Sequence, residues 1–584
     1  MSELLLAGCD AQARLCQNLQ DAPLGRVAWN RLLQKSETKS IFLTWQWLSS
    51  WWEAFREGAD LYAFAVERDS DLIGIAPLLV RRYGGIRTVE FLGMGSSDYA
   101  DFIASEEDKP DVIRAVFDAL MKRRDRWDRI SLRHLPEKSS TAKLLSGIVL
   151  PGAWEFRREV ESQCPALSIE ASPSFAEACI RKKSLVRHTR YFERLGPLEF
   201  YHALDVDEIL DRLPDFYEQH RDRRFLAGDQ SLFDDPRHRR FYERMIPTLI
   251  ESGTLRFSVL RWKDEVLAYH LGFLHDGIFT WYKPTFNVDY AKYSPGEVLL
   301  QKLLESALAE NVRLFDFTVG DEAFKERFAN VKNANLRVEI GPRRLVPFRA
   351  RARNRTKSYV KANHPKLFAA LKARAQASER ADVPEHLSQV VTTRPVGARR
   401  LGVAPPSSGV VSHVLWRAAP MQPVPSEFSA QWARYSHLKL ITRREGLQPA
   451  FLHACIEKMN RGERAVVAIW AERPVALAWL APDGPAAVRD AGFDATQVPA
   501  GAAVLTDSYL ALDLRGSPRR ETLPPALLTF LAAEGVTALY GIQDTRLPAP
   551  AISQCGARLI PLARRLVVPF WRWRMESRKR FDAA

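Results

Sequence analysis

One pattern occurs three times along this chain and restricts its fold more than any other feature. Each copy is a set of β-like runs separated by polar turns, then a helical stretch opened by proline, then a further β-like run. In the first copy the runs are Leu61 to Val66, Leu72 to Val80 and Ile86 to Leu92, with turns at Glu67 to Asp71 and at Gly84-Gly85. The second copy has them at Leu255 to Leu260, Val266 to Leu274 and Ile278 to Lys283. The third has them at Ala465 to Trp470, Val475 to Leu480 and, weakly, near Val488. Pro110, Pro295 and Pro524-Pro525 open the helical stretches, and Asn311 and Gly535 stop the second and third. Proline in the first turn and Gly or Asn beyond the last are helix start and stop signals. The runs that follow are Ile130 to Leu132, Leu314 to Val319 and Val536 to Ile542, and helical segments such as Phe42 to Phe55 and Phe241 to Glu251 precede the meanders. The unit is therefore helices, antiparallel meander, helix and strand, an α/β (α+β) architecture built in lobes.

Composition agrees with a folded chain. At roughly 150 residues per domain, 584 residues exceed a single core. With 46% hydrophobic and 26% charged residues, wholesale disorder, collagen and coiled coil are excluded. No run approaches the ~18 apolar residues of a spanning helix. Leu6-Ala7-Gly8-Cys9 resembles a lipoprotein cleavage box, but the segment before it carries Glu3 and is too short for the ~7–15-residue apolar region of a signal peptide. Six cysteines without a C-x-x-C pair make neither a disulfide framework nor a metal cluster, so no metal is expected and a reducing cytoplasm fits.

The net charge of +14 is concentrated in two places. Gly341 to Gln376 carries eleven Lys/Arg and no Asp or Glu, and Arg564 to Ala584 carries seven basic residues against Glu576 and Asp582. The lobes themselves are near neutral. In the tail, Arg572, Arg574, Arg578, Lys579 and Arg580 interleave with Phe570, Trp571 and Trp573. Such a segment suits peripheral contact of Arg564 to Arg580 with an anionic membrane, at ~1 kcal/mol per basic side chain. RNA attracts the same residues, and a solvated tail with a self-repelling linker explains them equally. No RNA-recognition motif or zinc knuckle favours nucleic acid.

The order of elements resembles the core of the Gcn5-related N-acetyltransferase (GNAT) fold. Phe42-Leu43-Thr44-Trp45-Gln46-Trp47 with Trp51-Trp52, Asp98-Tyr99-Ala100-Asp101, Tyr293-Ser294-Pro295-Gly296 and Phe315 through Lys325 together resemble the bacterial CelD-like acetyltransferases of cellulose and exopolysaccharide synthesis, relatives of the FemAB peptidyltransferases. The resemblance covers about residues 20 to 345 and implies tandem lobes. The expected division is a supporting lobe at 1–165, a catalytic lobe at 166–345, a basic linker at 346–408 and a divergent GNAT-like lobe with the basic aromatic tail at 409–584.

In the GNAT fold the acyl-CoA pyrophosphate sits at the N-terminus of the helix after the meander, where amides and dipole favour an anion. Glu106, Glu107 and Asp108 disfavour this in the first lobe. Tyr293, Ser294 and Gly296 make the second lobe the candidate donor site, although Ser294 and Glu297 also read as a capping box. The third lobe offers Arg515-Gly516-Ser517-Pro518-Arg519-Arg520, basic but poor in glycine.

Acyl transfer needs a neutral nucleophile, a proton acceptor and a held carbonyl. These are expected in the opening between the run Ile278 to Lys283 and the run Leu314 to Val319. Asp316, among Phe315 and Phe317, would be desolvated and raised in pKa as a base requires, or would simply pair with a cation. Asp321 and Lys325 near the strand's end would serve catalysis, or belong to a charged surface helix. For the acceptor the candidates are His270, Trp281, Tyr282 and Arg187, against core packing for the first three and solvation for the last. Trp45, Trp51, Trp52 and Phe55 follow near-helical spacing and are expected in the core. The resemblance implies transfer from acetyl-CoA or another acyl-CoA to an amine or hydroxyl of a saccharide or sugar-nucleotide acceptor. Two alternatives stay open: a FemAB-type transferase using aminoacyl-tRNA, and a non-enzymatic scaffold of a polysaccharide synthase complex.

Overall fold

The computed structural model describes residues 11–342 apart from 21, 22, 149 and 151, and in the C-terminal part residues 411–418, 427–447, 449–481, 483, 486–487, 498, 502–511, 523–536, 538–544 and 559–567. The chain forms two compact units, Met1–Val383 and Pro384–Ala584. The basic linker, the Arg515 to Arg520 segment and the tail beyond 567 lie outside the described residues.

In the first unit the strands are β1 (Gln12–Leu15), β2 (Ala59–Leu61), β3 (Phe64–Arg68), β4 (Asp71–Ala76), β5 (Leu78–Tyr83), β6 (Ile86–Phe91), β7 (Ile103–Ala104), β8 (Arg129–Pro136), β9 (Trp154–Ser168), β10 (Leu198–Ala203), β11 (Leu255–Trp262), β12 (Glu265–His275), β13 (Ile278–Phe286), β14 (Leu314–Asp316) and β15 (Val331–Pro342). A small sheet has the order β1-β3-β4-β7, and an eleven-stranded sheet has the order β10-β11-β12-β13-β14-β9-β15-β8-β6-β5-β2. β1 to β8 constitute lobe one and β9 to β15 lobe two. The long strand β9 spans the expected 165/166 boundary, and β15 joins the lobes by pairing with β9 on one side and β8 on the other.

Each lobe contains the expected return through a helix. The helix Lys109–Lys122 lies, after β7, on the path from β6 to its parallel neighbour β8, and Pro295–Ala309 lies on the path from β13 to its parallel neighbour β14. The second meander agrees with the sequence reading to within a few residues. The first does not, because Pro77 divides the expected run Leu72 to Val80. Proline has no N–H for a ladder, and the hairpin crosses there from one sheet to the other: β4 pairs with β3, while β5 pairs with β2 and β6. Phe42 to Phe55 is also two elements, a short 3-10 turn (Ile41–Leu43) and a helix (Trp45–Phe55) whose cap, Thr44, accepts from the Trp47 N–H.

Trp47, Trp51 and Phe55 are buried as expected, with Trp45 and Trp52 packed at the margin. This core belongs to both lobes. Trp47 makes edge-to-face contacts with Phe241, Phe273 and Tyr282 of lobe two at 4.9, 5.5 and 5.6 Å. Each such pair adds about 0.5–1.5 kcal/mol beyond burial. Its indole N–H donates to Ser97 Oγ. The lobes therefore share one interior and are not free to part.

The second unit contains β16 (Val411–Ala418), β17 (Ser429–Trp432), β18 (Arg464–Trp470), β19 (Arg473–Leu480), β20 (Ala503–Leu510), β21 (Leu539–Asp544) and β22 (Leu559–Val567), in the order β17-β18-β19-β20-β21-β16-β22. Lobe two has its seven strands in the same order, with the parallel pair in the same place. The third meander strand is Ala503–Leu510; Val488, where the sequence placed it, lies outside the described residues. The repeat is thus longer than the sequence pattern, since it opens with β9 or β16 and ends with β15 or β22.

Candidate active site

Strands β13 and β14 pair only from Ile278 to Thr280 against Leu314 to Asp316, and then separate. β13 continues along β12 as far as Phe286. The other leg turns at Thr318, whose φ is 56°, and follows β9 through Phe317 N–H to Pro165 O and Gly320 N–H to Gln163 O. This turn ends the strand three residues earlier than the expected Val319. Thr318 Oγ1 reaches back to the Trp281 carbonyl at 3.3 Å and marks the apex of the opening.

Asp316 sits at that apex, 7% exposed. Its Oδ1 accepts from the Tyr99 hydroxyl at 2.9 Å and from the Thr318 N–H at 2.8 Å, which leaves Oδ2 without a partner among the described residues. Burial raises its pKa to about 6, against the two hydrogen bonds and Lys325, which favour the charged form. The same enclosure keeps the Tyr99 phenol protonated, so it remains a donor. Cys164, on β9, has its thiol pushed up to about 12 by burial and then by Asp316, so it is not a thiolate nucleophile.

Tyr99 belongs to lobe one, in a segment between β6 and β7 that is held at several points. Ala100 N–H donates to His134 O of β8, and Asn335 Nδ2 of β15 donates to Asp98 O. Asp101, fully buried, pairs with the equally buried Lys109 at 2.8 Å and accepts from Thr38, Ser139, Thr141 and its neighbour's amide. Polar side chains buried and satisfied in this way fix a segment in one conformation. The part of the site contributed by Asp98 and Tyr99 was missed among the site residues; the Asp98-Tyr99-Ala100-Asp101 motif was the available signal, but only the fold reveals that it meets Asp316.

Cations face this opening. Lys325, 4% exposed, donates to Val319 O at 2.9 Å and pairs with Glu322 at 3.0 Å. Gly320 has φ 143°, and a Cβ there would stand 2.6 Å from Lys325 Nζ, so glycine is required for the ammonium to lie against the backbone. Lys283 of β13 lies 3.7 Å from the Tyr282 ring centroid, and its pKa is lowered by enclosure, with Asp98 opposing and Arg224 and Lys325 reinforcing. Arg223 donates to Pro284 O, and burial lowers its pKa also. Neither Lys283 nor Arg223 was anticipated, because Lys283 comes under the influence of Lys325, and Arg223 under that of its partner Glu322, only through the packing of the helix Val206–Leu226 against β13.

The remaining expected residues are distributed differently. His270 is fully buried beside the β12 bulge, accepts the Tyr282 N–H at Nε2 and stacks on Trp281; burial lowers its pKa to about 3, so it is neutral. Trp281 and Tyr282 are each 5% exposed; the Tyr282 ring packs against Phe42, Trp47 and Phe273, and its hydroxyl donates to Ser96 O. Packing accounts for all three. Arg187 and Asp321 are exposed.

At the expected donor site, Ser294 has φ 56° and its side chain makes no capping bond. The capping box is therefore absent, and Glu297 instead pairs with Arg327 at 3.0 Å. The amides of Glu297 and Val298 already reach Ser294 O, and Pro295 has none, so Gly296 carries the uncommitted N–H. A Cβ at Gly296 would lie 3.3 Å from Phe286, which gives that glycine a packing role. Tyr293 stacks on Tyr191 at 4.1 Å. The residues thus offer an anion one amide here rather than a full cradle. Among the described residues no group of His, Cys, Asp and Glu is arranged to hold a metal, and no helix is long and apolar enough to cross a membrane.

Residues 181–326 match the family model of the acetyltransferase (GNAT) domain. That span holds β10 to β14, the helix Pro295–Ala309, Asp316 and Lys325. The chain has a mixed α/β architecture of GNAT-like lobes and carries an acyltransferase domain of the GNAT type. Among solved structures it is similar to FemX, at 9% identity over 53% of this chain and 95% of FemX with a TM-score of 0.41. It is similar also to L-PGS from Bacillus licheniformis, at 12% identity over 55% and 92% with a TM-score of 0.36. A tandem GNAT protein from the clavulanic acid biosynthesis pathway gives 10% identity over 56% and 98%, with a TM-score of 0.34. Likeness at these levels carries no statement about activity. No curated protein matches the chain.

Proposed function

We propose that the first unit transfers an acyl group from an acyl-CoA to an amine or hydroxyl of a saccharide-type acceptor, with the chemistry at the junction of lobes one and two. The observation that carries this reading is Asp316, a carboxyl with a pKa of about 6 at the point where β13 and β14 separate, inside the span that matches the acetyltransferase domain. Ionised Asp316 takes the proton from the attacking amine or hydroxyl through its free Oδ2. The nucleophile bonds to the thioester carbonyl carbon, the C–S bond breaks, and the CoA thiolate leaves to collect a proton from water. Lys283 and Lys325 stabilise negative charge that develops beside them. Tyr99 orients the carboxylate.

The acceptor class and a role in exopolysaccharide or cellulose production rest on the CelD-like resemblance, as does peripheral membrane contact by the basic tail. Calorimetric titration with acetyl-CoA, followed by acetylation assays on amino sugars, tests the reading. Donor binding that persists in Asp316→Asn with turnover lost supports it. No binding at millimolar acetyl-CoA overturns it, and steeply salt-dependent binding of charged tRNA instead would assign an aminoacyl donor.

A further inference from the structure

Lobe one contains a cavity of about 560 Å³ that the acyltransfer reading does not use. It is lined by Arg82, Arg87, Arg123 and Arg126, by Asp60, Asp125 and Tyr62, and on one side by the apolar Leu15, Leu61 and Val80. Arg87 is the second residue of β6, whereas Tyr99 follows its far end, so the cavity and the lobe junction lie toward opposite ends of that strand. Its size is in the range of small-ligand sites, roughly 300–1,000 Å³.

Two observations indicate what such a ligand must be. The first is the state of the arginines. Arg87 is neutralised by Asp128 at 3.0 Å and also donates to Asp125 O. Among the described residues the Arg82 side chain makes no hydrogen bond or ion pair, the Arg123 guanidinium donates once, to Ala119 O, and the Arg126 guanidinium has only Asp125 at 3.5 Å. Three guanidinium groups therefore retain donors for an anion. The second observation is independent: Tyr62 is 6% exposed, and its hydroxyl has no hydrogen-bond partner among the described residues. A buried hydroxyl without a partner carries an energetic penalty that a ligand oxygen would relieve. Tyr62 lines the cavity together with Arg87, Arg123, Asp125 and Arg126, so these groups border the same space.

We infer that this cavity is a binding site for a small phosphorylated polyol of the sugar-phosphate class, with the phosphate on Arg82, Arg123 and Arg126 and one ligand oxygen on the Tyr62 hydroxyl. Asp60 and Asp125 oppose a bare phosphate but accept hydrogen bonds from ligand hydroxyls, which selects a phosphate ester over inorganic phosphate. The site is separate from the acyltransfer centre.

Titration calorimetry of the full chain with glucose 1-phosphate and with inorganic phosphate tests this. The expected result is saturable binding of the sugar phosphate, severalfold tighter than that of phosphate. Arg82→Ser and Arg126→Ser, both at exposed positions, are expected to weaken it by about tenfold each, the size of one lost charge-assisted hydrogen bond. Tyr62→Phe keeps the ring in place and is expected to weaken it severalfold with no loss of thermal stability. The absence of heat with millimolar sugar phosphate, equal affinity for inorganic phosphate, or binding unchanged by the arginine variants but abolished in Lys283→Met would each overturn the assignment, the last by placing the phosphate at the lobe junction.

Discussion

The Tyr99 hydroxyl of lobe one and the Asp316 carboxylate of lobe two meet at 2.9 Å, although 217 residues separate them in the chain. The contact places a donor from one lobe on the proposed base of the other, so the candidate site draws on both lobes. It also determines how the site responds to pH and to substitution.

Asp316→Asn is expected to reduce turnover by about 10²–10⁴-fold, the range for a removed general base. It should also stabilise the protein above pH 6. Because the native pKa is about 6 and the unfolded value is near 3.8, the native state binds the proton more tightly. Stability from this group is fully present below about pH 4 and is lost as pH rises through 6; the shift corresponds to about 3 kcal/mol. Urea unfolding of both proteins at pH 4 and pH 8 checks the sign: the variant should gain on the wild type only at the higher pH.

Tyr99→Phe removes a hydrogen bond that favours the ionised form of Asp316. The rising limb of kcat/KM against pH, expected near 6 in the wild type, should therefore move to higher pH. The cost to folding should be about 1 kcal/mol. A limb that stays in place would show that another group governs the ionisation.

Lys109→Met leaves the Asp101 carboxylate buried without its cation, although four hydrogen-bond donors remain. Loss of one partner of a buried pair costs about 3–5 kcal/mol. Activity should fall with it, since Asp101 anchors the segment that carries Tyr99. Denaturant midpoints and the same acylation assay measure the two effects.

Gly272→Ala is expected to prevent soluble expression. A Cβ there would stand 2.0 Å from His270 Cε1 and 2.5 Å from the Thr280 carbonyl oxygen. The imidazole fills the space beside the β12 bulge, and the carbonyl belongs to backbone that is fixed by its neighbours, so no small shift relieves both contacts. Thermal unfolding of any recovered protein gives the measure.

Local signals in the sequence identified the second meander and the helix Pro295–Ala309, because alternation, a polar turn and an N-terminal proline are each short-range effects. The buried, desolvated setting of Asp316 followed from its two phenylalanine neighbours for the same reason. What escaped was whatever depends on partners distant in sequence. Pro77 redirects a strand whose hydrophobic pattern is unbroken, and the flanking strands β9 and β15 are linked to their lobe only by pairing. Lys283 and Arg223 read as ordinary charges on a strand and a helix until the tertiary packing brings them under the influence of the Lys325–Glu322 pair. Ser294 and Glu297 have the spacing of a capping box, yet the left-handed backbone at Ser294 and the pull of Arg327 undo it.

The position of β15 between β9 and β8 sets a timetable for biosynthesis. About 160 residues separate the end of β9 from the start of β15, which at ~5–20 residues per second on the ribosome is on the order of ten to thirty seconds. Throughout that interval both earlier strands present open rims to solvent, the state in which a nascent polypeptide is most prone to stick to its neighbours. The edges of β8 and β9 are thus the last of the first unit's strand pairings to be closed as the chain is made.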